Sequence, residues 1–589
     1  MPDRPSPPLP ARVARWRPHL PVAIVLCAAA VLLFTNLGRG YLWEDEADTA
    51  TLARNILRDG VPTAWDGVTL VEPDRGTRLN DRLVMVSHPW LEYYIAAGAF
   101  ALLGPTPFAL RAPFALCGLA TILVVYLLAL RHTRDRRVGT AAAILLAAST
   151  QFLIYGQQGR NYTLNTLLTC LLIVQFFRLR SWGSAGLFAA IAVLLFHAHP
   201  LGLAPIGVLG GLTLVYRPFA TYRRWFWRAA PVVAALTLPW LLVATGGYGE
   251  NTEIAHTVTD LVARAAQFSI ECASVAPWVG IFVLAGWIWI RRDAPSSSPG
   301  PDRRRPAAGP ARLPLLPEAE LSLAIVLVAI VAGYVGAMAL TESRERMWML
   351  GMRYTPAVIP FGMLLLAMLI GRASGGRRAV FAALVVVFAC TKLGEITPYA
   401  FWVAPTPLRP AEHAVAIHQP PRLVDRWIET DFAAYVRTLA APTIGTEGEV
   451  CRFLQAHAGP SDIVVTNYAW ETIYFHTNLP LGLRILPSYP IYDAAKRAGL
   501  PDYVFDARGV RWIVWRQAWG IYQGIDIGRL IDALRAAKIP VAQVAAMPET
   551  LWENRENVHF RRFAGPEYIY PWFPQIPDTL IFRVDWPTG

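Results

Sequence analysis

The stretch HLPVAIVLCAAAVLLFTNLGRGYLWEDEADTA, residues 19–50, sets two chemistries side by side. Residues 19–38 hold no Asp, Glu, Lys or Arg. As a helix rising about 1.5 Å per residue, that run matches the ~30 Å hydrocarbon core of a bilayer. Directly after it come Glu44, Asp45, Glu46 and Asp48. Negative charge gathered where a chain leaves the membrane implies either a cationic partner or a chemical task.

The rest of the 589 residues repeats the apolar half of this pattern. The chain is 54% hydrophobic and 16% charged, whereas soluble domains carry about 25% charged residues. Further runs able to span fall near 110–130, 138–155, 162–178, 185–199, 201–216, 229–246, 274–290, 319–340, 354–371 and 378–396, eleven with the first. The sequence therefore predicts a polytopic α-helical membrane protein of about eleven transmembrane helices. The 185–216 stretch is split by Pro200 into two short spans. The first run is long for a signal peptide and many spans follow it, so it is read as a retained helix. Six cysteines form no CxxC and four lie in apolar runs, which argues against metal or disulfide frameworks. A Cys272–Cys451 bridge would need both thiols on an oxidising side.

The formal charge is +12, and lysine occurs only at Lys392, Lys496 and Lys538, so arginine supplies nearly all of it. No basic stripe interleaves with aromatics, which sets nucleic acid aside. Arginine instead marks topology. It recurs at Arg12, Arg15 and Arg17, then in RHTRDRR (131–137), RLRSW (178–182), RPFATYRRWFWR (217–228), 291–312 and GRASGGRR (371–378). With eleven spans all these segments fall on one side, which the positive-inside rule makes cytoplasmic. Residues 1–18 are then a cytoplasmic N-terminus, 19–396 a transmembrane domain and 397–589 an extracytoplasmic tail. PWLEYYIAAGAFALLG (89–104) breaks this alternation if it crosses, so it is read as an interfacial helix within an outer loop, 38–109. That loop also holds a helix with Ala50, Leu52, Ala53, Ile56 and Leu57 on one face, stopped by Gly60 and Pro62. Segment 293–316 reads as a disordered linker. The tail alternates β-rich runs (462–467, 510–515, 579–584) with helical ones (449–458, 527–537), a small α/β domain.

Acidic and cationic groups from separate outer turns share one side: Asp45 and Glu46, His88, Arg160 with Tyr162, His197 and His199, and Arg353 with Tyr354. Such a set suits transfer of a sugar from an anionic lipid headgroup to a hydroxyl. Arg and His can hold a phosphate leaving group as its charge grows, and a carboxylate can deprotonate the acceptor. Plainer readings exist. The acids can serve a helix start, the arginines can anchor at the interface, and the tyrosines can belong to an aromatic belt. HAH spacing on a helix points the two rings apart, against metal ligation.

The order of these pieces resembles the C-type membrane glycosyltransferases, closest to bacterial relatives of protein O-mannosyltransferases and of the lipid A aminoarabinose transferases. The matching stretches are Asp45-Glu46 in WEDEADTATLAR, HPWLEYYIAAGAFALLGPTPFALR with His88 where Lys is frequent, GRNYTL with Arg160 and Tyr162, and RYTPAVIP (353–360). The resemblance covers roughly 19–400. It implies a polyprenyl-phosphate sugar donor, a hydroxyl acceptor (protein, lipid or glycan), and action at the extracytoplasmic face of the inner membrane. It further implies inversion at the sugar carbon and no nucleotide-sugar site. A divalent metal is compatible with the class but not implied. Asp45 is the expected base, Glu46 its neighbour in the catalytic pair, and His88, Arg160, Tyr162, His199, Arg353 and Tyr354 the expected substrate-binding residues. Asn165 stands near where some relatives carry a second Asp, and an Asn cannot act as a base. The rival readings are a transporter or flippase of a lipid-linked intermediate, and a non-catalytic scaffold.

Overall fold

The computed structural model describes residues 19–71, 73–248, 257–293, 316–341, 355–396, 427–428, 430–440, 444–517, 520, 524–549 and 577–587. The N-terminal segment, Arg353, Tyr354 and nearly all of the 293–316 linker lie outside these. The first 400 residues carry α1 (Leu20–Phe34), α2 (Glu44–Asp59), α3 (Leu91–Leu103), α4 (Pro107–Thr133), α5 (Arg136–Ala147), α6 (Thr150–Gly156), α7 (Tyr162–Phe176), α8 (Trp182–Ala198), α9 (Leu203–Val215), α10 (Ala220–Tyr248), α11 (Val258–Val275), α12 (Trp278–Asp293), α13 (Glu318–Leu340), α14 (Val358–Ala373) and α15 (Arg378–Cys390). Every apolar run named above carries a helix. By length and composition, three described helices can cross a membrane alone, or up to five if each of two bent pairs counts as one span.

Three local outcomes refine the sequence reading. The 138–155 run is not one helix, because α5 and α6 meet at 70°. Ser149 sits at the break, and its Oγ accepts from the Phe152 N–H, starting a new helix. The 274–290 run is preceded by α11, which meets it at 84°. Hydropathy misses α11 because Asp260, Arg264 and Glu271 interrupt it, and Pro277 ends it. On α2, Ala50, Leu52, Ala53 and Ile56 are buried as expected, but Leu57 is exposed. Gly60 closes α2 at φ +78°, a left-handed cap that suits glycine.

The arginine-rich turns meet at one end of the bundle. Arg131 donates to the Phe177 carbonyl (3.1 Å), Trp182 packs on Trp225, and Arg372 pairs with Glu320 (2.7 Å). His19, before α1, bonds Tyr126 in the last third of α4. The opposite end gathers residues 37–46, 88–92, 111, 156–161 and 198–202.

The tail holds α16 (Thr430–Ala440), α17 (Gly445–His457), β1 (Ile463–Thr466), α18 (Trp470–Thr477), α19 (Tyr492–Arg497), β2 (Val510–Arg516), α20 (Ile527–Ala536), β3 (Val541–Met547) and β4 (Thr579–Val584). The sheet order is β1-β2-β4-β3, with β1 and β2 parallel and the other pairs antiparallel. The alanine-rich β3 was not legible as a strand, since alanine has weak strand preference. Helix residues Val450, Leu454, Ile473 and Ile531 pack on sheet residues Val464, Ile513 and Ile581. This tail is fused to the loop 38–109. Leu42, Ala53, Leu70 and Met85 share one apolar cluster with Phe475, Ile485, Tyr489 and Ile491. At Gly76 (φ +75°) a Cβ would lie 2.3 Å from Ile491 Cγ1, so only glycine fits that approach. None of the six cysteines, Cys272 and Cys451 included, is in a disulfide.

Candidate active site

The four carboxylates at the start of α2, Glu44, Asp45, Glu46 and Asp48, leave the helix in different directions, because successive residues turn by about 100°. The N-cap position is Trp43, and no side chain caps the helix. Glu44, Asp45 and Glu46 therefore fill the first turn, where the helix dipole favours them, and each side chain is left for another partner.

Glu46 points into the bundle and is fully buried. Its Oε1 accepts from Arg111 Nε (2.8 Å) and from the Gly159 N–H (2.7 Å), and its Oε2 accepts from Arg111 Nη2 (2.6 Å). Arg111, equally buried, also donates to the carbonyls of Leu37, Gly40 and Tyr41. This arginine closes the G-x-x-x-x-x-x-R spacing that begins at Gly104. The pair ties the end of α1, the start of α2, α4 and the 156–160 turn together. Its geometry is that of an anchor for these elements.

Asp45 is half-buried, as is Glu44. Beside Asp45 stands Arg160, 8% exposed. Arg160 Nη1 donates to the Asp45 carbonyl (3.1 Å) and to Thr49 Oγ1 (2.7 Å), and lies 3.3 Å from Glu92 Oε1. Burial works against the Arg160 charge, but Glu92 and Asp45 outweigh it and hold the guanidinium firmly protonated. Glu92 also accepts from the Asn161 N–H (3.0 Å), while Asn161 Nδ2 donates to the Ala198 carbonyl (2.8 Å). Burial raises the Glu92 carboxyl above the usual range, with Arg160 opposing. Glu92, the acid within the 89–104 run, is thus the seat of the site's central cation.

His88 and His199 face each other with ring centres 6.4 Å apart. Arg78 Nη1 lies 3.1 Å from His88 Nε2. A guanidinium only donates, so Nε2 accepts and the His88 proton sits on Nδ1. Arg78, which the motifs do not single out, therefore carries the positive charge at this position, and His88 orients it. His199 Nδ1 accepts from the Leu201 N–H (3.2 Å). His197 turns the other way, toward the Leu236 carbonyl at 3.2 Å, as the i,i+2 spacing requires. Tyr162 is buried with its ring 5.2 Å from that of Tyr155, and it lies within electrostatic reach of Arg160. Asn165 is buried one turn into α7, and its Oδ1 meets no hydrogen-bond partner among the described residues.

The structure therefore brings together Asp45, Glu46, His88, Arg160, Tyr162 and His199 at one end of the bundle. Arg353 and Tyr354 lie outside the described residues. Added to the set are Arg78, Glu92 and Arg111. Among the described residues no group of three or more His, Cys, Asp or Glu side chains is placed to hold a metal ion.

Comparison with known proteins bears on this arrangement. Residues 87–243 match the family model described as dolichyl-phosphate-mannose-protein mannosyltransferase. No curated protein sequence matches the chain. The crystal structure of ArnT from Cupriavidus metallidurans in the apo state superposes with a TM-score of 0.52 at 16% identity, covering 98% of this chain and 100% of that one. The same protein bound to undecaprenyl phosphate gives 0.52 at 15%, covering 96% and 99%. The Archaeoglobus fulgidus oligosaccharyltransferase tethered with an acceptor peptide gives 0.39 at 13%, covering 85% and 69%. The chain shares the overall fold of the ArnT structures, tail sheet included, and that is the C-type fold which the motif order implies.

Proposed function

We propose that this protein is a multi-pass membrane glycosyltransferase that moves a sugar from a polyprenyl-phosphate donor to a hydroxyl acceptor at the extracytoplasmic face. The observation that carries this reading is a half-buried Asp45 beside Arg160, a buried cation seated on the Asp45 main-chain carbonyl. Asp45 is the general base: it takes the acceptor proton while the hydroxyl oxygen bonds to the sugar's anomeric carbon. The bond from that carbon to the phosphate oxygen breaks, and the polyprenyl phosphate leaves with the electron pair. Arg160 and Arg78 hold that phosphate and stabilise its growing charge. His88 orients Arg78, His199 lines the same wall, and Glu46 positions α2. Undecaprenyl phosphate, the ligand of the ArnT structure, is the carrier we assign by analogy of fold. One-step displacement gives inversion at the sugar carbon.

The meeting of the arginine turns at the opposite end supports eleven spans, with the site and the tail outside and the plasma membrane as location. Charged groups gathered at one end argue against alternating access, which needs a site at mid-membrane. The test is transfer of label from polyprenyl-phosphate sugars by the purified chain. Asp45→Asn should fold normally and lose about 10²–10⁴-fold in rate, the usual range for a general base. A wild-type protein that binds the donor yet transfers nothing would refute the reading.

A further inference from the structure

The turns 131–137, 178–182 and 217–228, at the bundle end opposite the site, hold ten arginines and one acid, Asp135. Asp135 serves its own helix start, where its Oδ1 accepts from the Arg137 N–H (2.8 Å). Among the described residues none of the ten arginines forms an ion pair, whereas Arg372 at the same end pairs with Glu320. Aromatic rings join the three turns into one surface. Arg131 donates to the Phe177 carbonyl (3.1 Å), the Phe177 ring packs on those of His132 (4.7 Å) and Phe219 (5.9 Å), and Trp182 packs on Trp225 (5.5 Å).

Arginine and aromatic residues do interleave here, in RPFATYRRWFWR (217–228), and the start of α10 turns that order into a shelf. The Arg228 guanidinium stands 4.8 Å from the centres of both the Trp182 and the Trp225 rings, and that of Arg224 stands 5.5 Å from Trp225. Cation–π contact holds both in place. Like charges four residues apart on a helix repel, so two guanidinia over one indole with no carboxylate between them make a seat for a phosphate. The border of the shelf is apolar. Trp182 is 66% exposed, and Leu187, Leu214, Val215 and Trp227 are exposed within about two turns of it. Indoles set between charge and exposed apolar surface match a bilayer interface, and such a border favours a lipid over a soluble anion.

We propose that this shelf binds an anionic glycerophospholipid of the cytoplasmic leaflet, with Arg224 and Arg228 on its phosphate and its acyl chains along Leu187, Leu214 and Trp227. The site goes beyond the glycosyltransferase reading, takes its leaflet from the orientation given there, and lies at the other end of the bundle from the donor phosphate. The GRASGGRR turn (371–378) offers an internal comparison. It lies at the same end, with Arg377 and Arg378 exposed, and it holds no aromatic residue. The positive-inside bias accounts for arginine in both places, but only one of them has the shelf.

The test is native mass spectrometry of the full-length chain released from detergent, titrated with dioleoyl phosphatidylglycerol and with dioleoyl phosphatidylcholine. The wild type should hold phosphatidylglycerol about thirtyfold more tightly, the worth of two arginines facing an anionic headgroup. Arg224→Gln with Arg228→Gln should abolish that preference and keep the affinity for phosphatidylcholine, which reports an intact fold. Trp182→Leu alters an exposed side chain and no charge, and should lower the preference about threefold through the lost cation–π contact. Arg377→Gln with Arg378→Gln removes the same charge from the same end and should leave the preference whole. A wild type without preference, equal losses in the two double variants, or displacement of phosphatidylglycerol by millimolar inorganic phosphate overturns the proposal.

Discussion

At the scale of single residues, adjacent acids of like chemistry receive unlike tasks from their surroundings. Asp45 keeps partial access to solvent, and Glu46 has none. Replacing Glu46 by Ala would leave the Arg111 guanidinium buried without its carboxylate, which typically costs about 3–5 kcal/mol. The expected outcome is a marked loss of thermal stability, read by a melt in detergent, whereas Asp45→Asn melts near the wild type. Arg78 and His88 divide their work in a related way. Arg78→Gln should weaken binding of the lipid phosphate by about 1.5–3 kcal/mol, the worth of a hydrogen bond to a charged group. His88→Gln should weaken it less, because a carboxamide oxygen can still accept from Arg78. Titration of labelled undecaprenyl phosphate would rank the two.

At the scale of elements, the turn between α6 and α7 carries the site, and it depends on close approach. Gly159 donates its N–H to Glu46, and a Cβ there would stand 2.4 Å from Leu110 Cγ. Gly159→Ala forces Leu110 or the turn to shift, for about 1–3 kcal/mol. Because the next residue is Arg160, donor affinity should fall along with the melting temperature. A variant that melts lower yet binds undecaprenyl phosphate normally would show that the turn moves without carrying Arg160. The broken pair α5–α6 belongs to the same argument. The 70° bend brings the chain to Glu46 and Glu92 before it re-enters the bundle as α7.

At the scale of the whole molecule, the seam between tail and first loop is sensitive to pH from both directions. His476 Nε2 accepts from the Leu42 N–H (3.0 Å), which only a neutral ring can do. Burial first, then Arg111, lowers its pKa to about 4. A depressed histidine adds stability that is full above its free value of about 6.5 and fades as pH falls toward the folded one. A gap of about 2.5 units sets an upper bound near 3 kcal/mol. Burial raises Glu44 and Asp48 instead, and their contribution fades as pH rises. His476→Gln keeps an acceptor and should flatten the acid side of a melt series between about pH 6.5 and about pH 4. Ending the chain at residue 396 would expose the apolar cluster under Leu42, Ala53 and Leu70, and the product should be polydisperse on gel filtration.

What the sequence determined alone follows from solvation and short-range geometry. Apolar runs of spanning length, arginines on alternate turns, the Gly60 stop, the Pro200 split and three of the four strands are local consequences of composition and spacing, so they could be read without coordinates. Grouping the acids and cations of separate turns also needed only topology, and among the described residues Asp45, Glu46, His88, Arg160, Tyr162 and His199 do lie at one end of the bundle. The tertiary structure alone decided which acid is sealed and which is open, that Glu92 seats Arg160, that Arg78 takes the charge expected of His88, and that His476 of the tail meets Leu42. Each of these joins residues tens to hundreds of positions apart, where burial and pairing depend on packing that no local pattern encodes.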